Sequence, residues 1–303
     1  MDLSSLVVTN TVILHGHYLQ ENCYKVPSRA EYFGSSADGT ELYLNPEYNG
    51  KLAGKITLPA KNANGGYYTK IQGMSGLTYS GVTHIFFLSD SKITTIGEGC
   101  FQNIGDTPDG TIEAIYLPDT VTRIEGNAFS SLTSLKTLTI PDKVTYIGQT
   151  AFTNYRGSEM QVEINELPSA LTELGMGAFS GAGPNVHISR LPAGLRTIST
   201  YAFNGLPNCK ITSFGSRDGS SVLESIGTGA FGHAGTGTWG ETITRIEVQS
   251  SVVTIYIEAF ENYGGLGLET AAFARYDAAN DGVYGVTYSE MGFGEHVNIE
   301  ALI

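Results

Sequence analysis

A chain of 303 residues, 41% of them hydrophobic, can bury a large core as one or two domains. Its 17 Lys and Arg stand against 30 Asp and Glu, a net charge of −13 with a pI near 4.8. That balance argues against phosphate backbones and anionic membranes, which select clustered cations, and the absence of any 18-residue apolar run argues against a membrane-spanning helix.

Residues 1–55 carry no repeat. Asp2 has the wrong sign for the basic start of a secretory signal, and the first apolar run stops at Val8. The chain therefore reads either as one without an export signal or as a mature chain whose signal has been removed. Residues 7–14 read as an apolar strand. Aromatic and polar turns follow, with Tyr18, Tyr24, Tyr32, Phe33, Tyr43 and Tyr48. This segment is expected to be a cap over the first coil, and at 55 residues it is also a candidate attachment or assembly device. The three cysteines, Cys23, Cys100 and Cys209, are far apart and odd in number, with no CxxC, so no disulfide framework is expected.

From residue 56 the chain repeats. Phe129, Phe152, Phe179, Phe203, Phe231 and Phe260 each follow an alanine, and Phe101 follows Cys100 in the same role. Their spacings are 28, 23, 27, 24, 28 and 29 residues, the range of leucine-rich solenoids. Pro118, Pro141, Pro168 and Pro192 each stand 11 residues before the phenylalanine, with two apolar positions fixed between, such as Val144 and Ile147 before Phe152. Two later copies lose the proline and keep the rest. Length varies only after the phenylalanine, as expected of stacked coils with a loop at one corner.

Each unit reads as three pieces. An apolar strand ends at proline, which stops it by removing a donor. A short extended V-T-x-I piece follows, then a tight helical turn carrying Ala-Phe. Alanine suits close approach between coils, and each phenylalanine is expected to stack on the next. Residues 56–71 form a degenerate opening copy without its Ala-Phe. Residues 263–303, rich in Gly and Tyr, read as a C-terminal cap or extension.

The run from Thr137 to Phe152 (TLTIPDKVTYIGQTAF) resembles the BspA-like, or Treponema pallidum type, leucine-rich repeat, whose pattern is approximately LxxIxIPxxVTxIGxxAF. The resemblance covers roughly residues 56–262. It implies a curved solenoid of about seven to eight repeats between non-repeat ends.

Motifs that carry chemistry are sparse. Two GxGxxG strings, at 227–232 and 235–240, lack the strand–turn–helix context of a dinucleotide site. His15 and His17 lie on one side of a strand with no third ligand. Residues 277–282 lack the ligand at position three, where Ala279 stands, and the closing glutamate of a calcium loop. No HExxH, Walker A or GxSxG occurs, and Cys100 reads as a packing residue. No cofactor, no metal and no catalytic residue is expected.

The strand face is the better candidate surface. Alternation points Ala114, Tyr116, Thr137, Thr139, Glu163, Asn165, His187, Ser189, Lys210, Thr212, Arg245 and Glu247 outward. Their mixed polarity suits a protein or glycan partner. Tyr155, Arg156, Trp239 and Tyr263 are candidate contacts on the variable loops.

The resemblance implies a non-enzymatic recognition or adhesion protein of a cell surface. The alternative is a structural or receptor-binding component of a virion, such as a phage tail, baseplate or head decoration. The sequence leaves the location open: extracellular or cell surface if a signal has been removed, virion if the chain stands without one.

Overall fold

The computed structural model describes residues 13–14, 17–18, 32–49, 51–78, 81–103, 111–154, 161–238, 240–277, 279, 282–283, 285–287 and 289–302. Each repeat makes one coil, and strands pair in parallel with their counterparts one coil on, except for a break between Glu173–Leu174 and Thr197–Ile198. Two walls of a leucine-rich-repeat solenoid result. The first holds the strands that precede the prolines. Ala53–Leu58, Gly81–Phe87, Ala114–Ile115 and Thr137–Leu138 pair in sequence. Single bridges carry the ladder through Glu163, Val186 and Cys209. Ser213–Phe214, Arg245–Val248, Thr270–Phe273 and Asn298–Ala301 complete it.

The second wall is made of the V-T-x-I pieces. It runs from Glu41–Leu44 through Lys70–Gln72, Thr95–Ile96, Arg123–Ile124 and Tyr146–Ile147 to Glu173–Leu174. A further three-stranded set, Thr197–Ile198, Ser225–Ile226 and Thr254–Ile255, follows. The threonine of the motif has a structural reason. The hydroxyls of Thr94, Thr122, Thr145 and Thr172 each donate to a carbonyl of the preceding coil, at 3.1–3.4 Å.

The Ala-Phe segment is a pair of β-turns and not the helical turn expected from sequence. The residue before Ala or Cys is left-handed in all seven copies: Gly99, Asn127, Thr150, Gly177, Tyr201, Gly229 and Glu258 have φ between 53° and 60°. A left-handed residue cannot continue a right-handed helix. It occupies the third position of the first turn, as in Gly148 to Ala151, and opens the second, as in Thr150 to Thr153.

The same backbone forms a third ladder. Phe101, Phe129, Phe152, Phe179, Phe203 and Phe231 each donate their N–H to the alanine carbonyl one coil on, at 2.8–2.9 Å. Inside, the rings of Phe101, Phe129, Phe152, Phe179, Phe203, Phe231, Phe260 and Phe293 form one stacked column, with neighbouring centroids 4.9–6.0 Å apart. Burying each such side chain stabilises the fold by about 1.5–3 kcal/mol.

The ends differ. The antiparallel hairpin of Phe33–Ser35 and Glu41–Leu44 closes the second wall and adds Phe33, Leu42 and Leu44 to the core. At the other end the first wall runs past residue 262 into Thr270–Phe273 and Asn298–Ala301, which lack the repeat grammar. Between them lies a small antiparallel meander of Tyr276–Asp277, Gly282–Val283 and Val286–Thr287. Met291 is buried where an alanine would stand in the column of coils, accepting the N–H of Phe260 at 3.0 Å.

Candidate binding face

The outward side of the first wall starts as an aromatic platform. Tyr116 stacks on Phe86 at 4.8 Å, nearly parallel, and His84 lies beside Phe86 at 6.2 Å. Phe86 is outward by alternation yet only 2% exposed, because Tyr116 covers it. Burial pushes the His84 imidazole below the ordinary histidine range, and the nearby Lys55 charge adds to this while Glu113 opposes it. Ala114, expected on the outward face, is buried: its single methyl sits in register between His84 and Thr137 and does not reach past them.

Thr137, Thr139, Glu163 and Asn165 are exposed, and Asn165 donates to the Glu163 carboxylate at 3.0 Å. His187 is half-buried, and burial lowers its pKa against the opposing pull of Glu163. The hydroxyl of Ser189 donates to the Glu166 carboxylate one coil back.

From Ser189 the face deepens into an open groove of about 550 Å³. Ser189, Lys210, Thr212, Arg245 and Glu247 all line it, so five of the sequence-predicted residues meet in one place. Its far wall was not visible in sequence: Gly240, Glu241, Thr242 and Thr244, at the end of the glycine-rich insertion that follows Phe231.

Local chemistry explains why that insertion stands there. The Lys210 ammonium donates to the carbonyls of Gly235 at 3.0 Å and Gly237 at 2.7 Å. Partial burial lowers its pKa. Gly237 donates to the Pro207 carbonyl at 2.8 Å. A Cβ on Gly237 would lie 2.2 Å from the Asn208 side-chain oxygen and 3.0 Å from the Pro207 carbonyl carbon, so any larger residue here would displace Asn208. Lys210 thus staples the loop, with one ammonium hydrogen left for the groove. On the other side, Arg245 donates to Glu247 at 3.2 Å and to Glu300 two strands on, and these two carboxylates raise its pKa. The groove thereby presents hydroxyls and both signs of charge in fixed positions.

Tyr263 does not belong to this surface. It is 1% exposed, and its hydroxyl hydrogen is shared between the carbonyls of Ile211 at 2.7 Å and Cys209 at 3.2 Å. The ring packs against Phe231 and Phe260 at 5.3 and 6.0 Å, so its tyrosine character serves the core. Tyr155, Arg156, Trp239 and His15 lie outside the described residues, as does the side chain of His17.

The second wall has a smaller groove of about 400 Å³ between Tyr146, Glu173 and Arg196, with the Arg123 guanidinium 4.0 Å above the Tyr146 ring. Among the described residues no group of three metal-ligating side chains occurs, and no helix is long and apolar enough to cross a membrane. Both described thiols are buried. Burial pushes the pKa of Cys209 up to about 12 and that of Cys100 higher still.

The comparisons with known proteins agree with this architecture. The family model described as the BspA type leucine rich repeat region matches in six copies, over residues 70–157, 94–234 and 158–267. The crystal structure of a T. pallidum leucine-rich repeat protein is similar at 22% identity and a TM-score of 0.53, over 71% of this chain and 92% of that one. A leucine-rich repeat protein from Bacteroides ovatus is similar at 18% identity and a TM-score of 0.45, over 80% and 69% of the two chains. No curated protein matches the chain. Six copies of the family model, spread over more than half of the sequence, carry the conclusion: this chain belongs to the BspA-type leucine-rich repeat family.

Proposed function

We propose that this chain is a non-enzymatic recognition protein of the adhesion type, which binds a polar surface of a partner protein or glycan in the groove between Ser189 and Glu247. One observation carries the reading. Five outward residues from three successive coils converge with a lysine-stapled loop on a single open groove. A groove of that kind offers directional hydrogen bonds without a large apolar anchor, which suits hydroxyl-rich or mixed-charge ligands. The buried thiols, kept protonated, are poor nucleophiles and take no part in it.

The test is a binding screen of the full chain against immobilised glycans and extracellular-matrix proteins, repeated with Thr212→Trp, which fills the groove floor. The reading predicts that a ligand of the parent chain binds the variant at least about tenfold more weakly, equal to about 1.4 kcal/mol. Undiminished binding with a folded Thr212→Trp variant would overturn the groove assignment.

A further inference from the structure

We propose that the seam where the second wall breaks, between Glu173–Leu174 and Thr197–Ile198, is a second binding site, which takes a lysine or arginine from an extended segment of a partner protein. The break is local. Phe179 still donates to Ala202 at 2.9 Å and His187 to Ile164 at 2.7 Å, so the turn ladder and the first wall cross the same step intact. The ring step there, Phe179 to Phe203, is the widest of the column at 6.0 Å.

Three main-chain bonds of the regular pattern are missing. In the coils on either side, two neighbouring amides of each wall piece donate to one carbonyl of the coil before. Thr172 and Glu173 do so to Thr145, at 3.0 and 3.1 Å, and Glu224 and Ser225 to Arg196, at 2.9 and 3.4 Å. The amide after the strand takes a second carbonyl, as Gly175 does from Ile147 at 2.8 Å. Arg196, Thr197 and Ser199 make none of these bonds among the described residues. Two side chains mark the difference. Arg196 stands where Thr94, Thr122, Thr145 and Thr172 carry the hydroxyl that holds the preceding coil. The Ser199 hydroxyl takes the Leu174 carbonyl at 2.6 Å, in place of its own amide.

The Thr172 carbonyl and the amides of Thr197 and Ser199 are therefore left without a main-chain partner among the described residues. All three residues line the groove of about 400 Å³, with Glu173 and Arg196 beside them. A groove that supplies both a vacated acceptor and vacated donors matches a peptide, which carries both.

Charge selects the side chain. Arg123 is paired with Glu125 at 3.1 Å and Arg196 with Glu224. Glu173 is exposed and has no ion pair or hydrogen bond among the described residues, so its charge is left over in the groove. A lysine or arginine head group would donate to the Glu173 carboxylate and the Thr172 carbonyl together, while the segment's own carbonyls accept from Thr197 and Ser199. An anion would meet the same amides against Glu173, with both arginines already paired. The net charge of −13 also steers cationic partners toward the chain.

The test is an NMR titration of the ¹⁵N-labelled full chain, in physiological salt, with the acetylated peptide amide Gly-Lys-Gly. Saturable shifts of the Thr197 and Ser199 amides are expected. The same peptide with norleucine for lysine, which keeps the stem and loses the charge, should bind at least about tenfold more weakly. Glu173→Gln should weaken the lysine peptide by a similar factor, while Glu295→Gln, also exposed but away from the seam, leaves it unchanged. No saturable shift at either amide, an equal response to the norleucine peptide, or undiminished binding to Glu173→Gln would overturn the proposal. So would preferential binding of Gly-Glu-Gly at these amides, which would assign the seam to anions. Thr212→Trp should leave this titration unchanged, which separates its outcome from that of the first-wall groove.

Discussion

Along the phenylalanine column, from Phe101 to Phe293, every step repeats: the rings stay 4.9–6.0 Å apart and a left-handed residue precedes each Ala or Cys. Along the outward side of the first wall, the same coils present Tyr116, Thr137, Glu163, His187, Lys210 and Arg245 in turn, with no residue type repeated between neighbours. Both series are set by the same backbone. The column is periodic because a missing ring would leave its two neighbours without a partner. The face is free to vary because solvent can stand in for any of its side chains. The groove arises where the variation is greatest, at the insertion after Phe231, and not from the repeat itself.

Substitutions sharpen this contrast. The largest effect belongs to Phe152→Ala, which opens a cavity between Phe129 and Phe179. It should cost about 3–5 kcal/mol in urea unfolding, while Thr139→Ala on the exposed face stays within about 0.5 kcal/mol. Equal effects at the two positions would dissolve the distinction. Tyr263→Phe comes next. It leaves the buried carbonyls of Cys209 and Ile211 without their donor, at a cost of about 1–3 kcal/mol measured the same way.

Gly177→Ala tests the turn. The nearest atom to an added Cβ, on Thr150, is 3.4 Å away, so space is adequate and the penalty comes from φ of +60° alone. About 1–2 kcal/mol is expected, and a neutral result would mean the left-handed turn is not a constraint. The smallest effect is a pH dependence. His84 and His187 both have folded pKa values depressed by burial, so the unfolded chain binds more protons between those values and the ordinary 6.5. Stability should therefore rise as pH climbs through that window and level off above it. The double variant His84→Gln/His187→Gln should flatten the rise in thermal melts.

Much of this was legible in the sequence. The Ala-Phe spacing, the fixed prolines and the V-T-x-I pieces predict the coils, both walls and the ring column, because burial acts on every repeat alike. The left-handed residue was hidden by its variety, since Thr150, Tyr201 and Glu258 stand where Gly or Asn would have signalled it. The extension through Thr270–Phe273 was hidden because it pairs by backbone bonds without the repeat's side chains. Phe86 and Tyr263 were missed for the same reason: which face of a coil is covered depends on a neighbour about 25–55 residues away, Tyr116 for one and the carbonyls of Cys209 and Ile211 for the other. The groove's far wall depends on the Lys210 contacts to Gly235 and Gly237, which no spacing rule announces.

Native-state hydrogen exchange on the full chain tests most directly whether a rigid periodic core carries a separately built recognition loop. The amides of Phe129, Phe152, Phe179 and Phe203, which bridge coil to coil, should exchange only through global unfolding, while the amides of Gly240, Glu241 and Thr242 exchange at least about a hundredfold faster. Equal protection of the two sets would contradict it, because the groove wall would then be part of the same cooperative core.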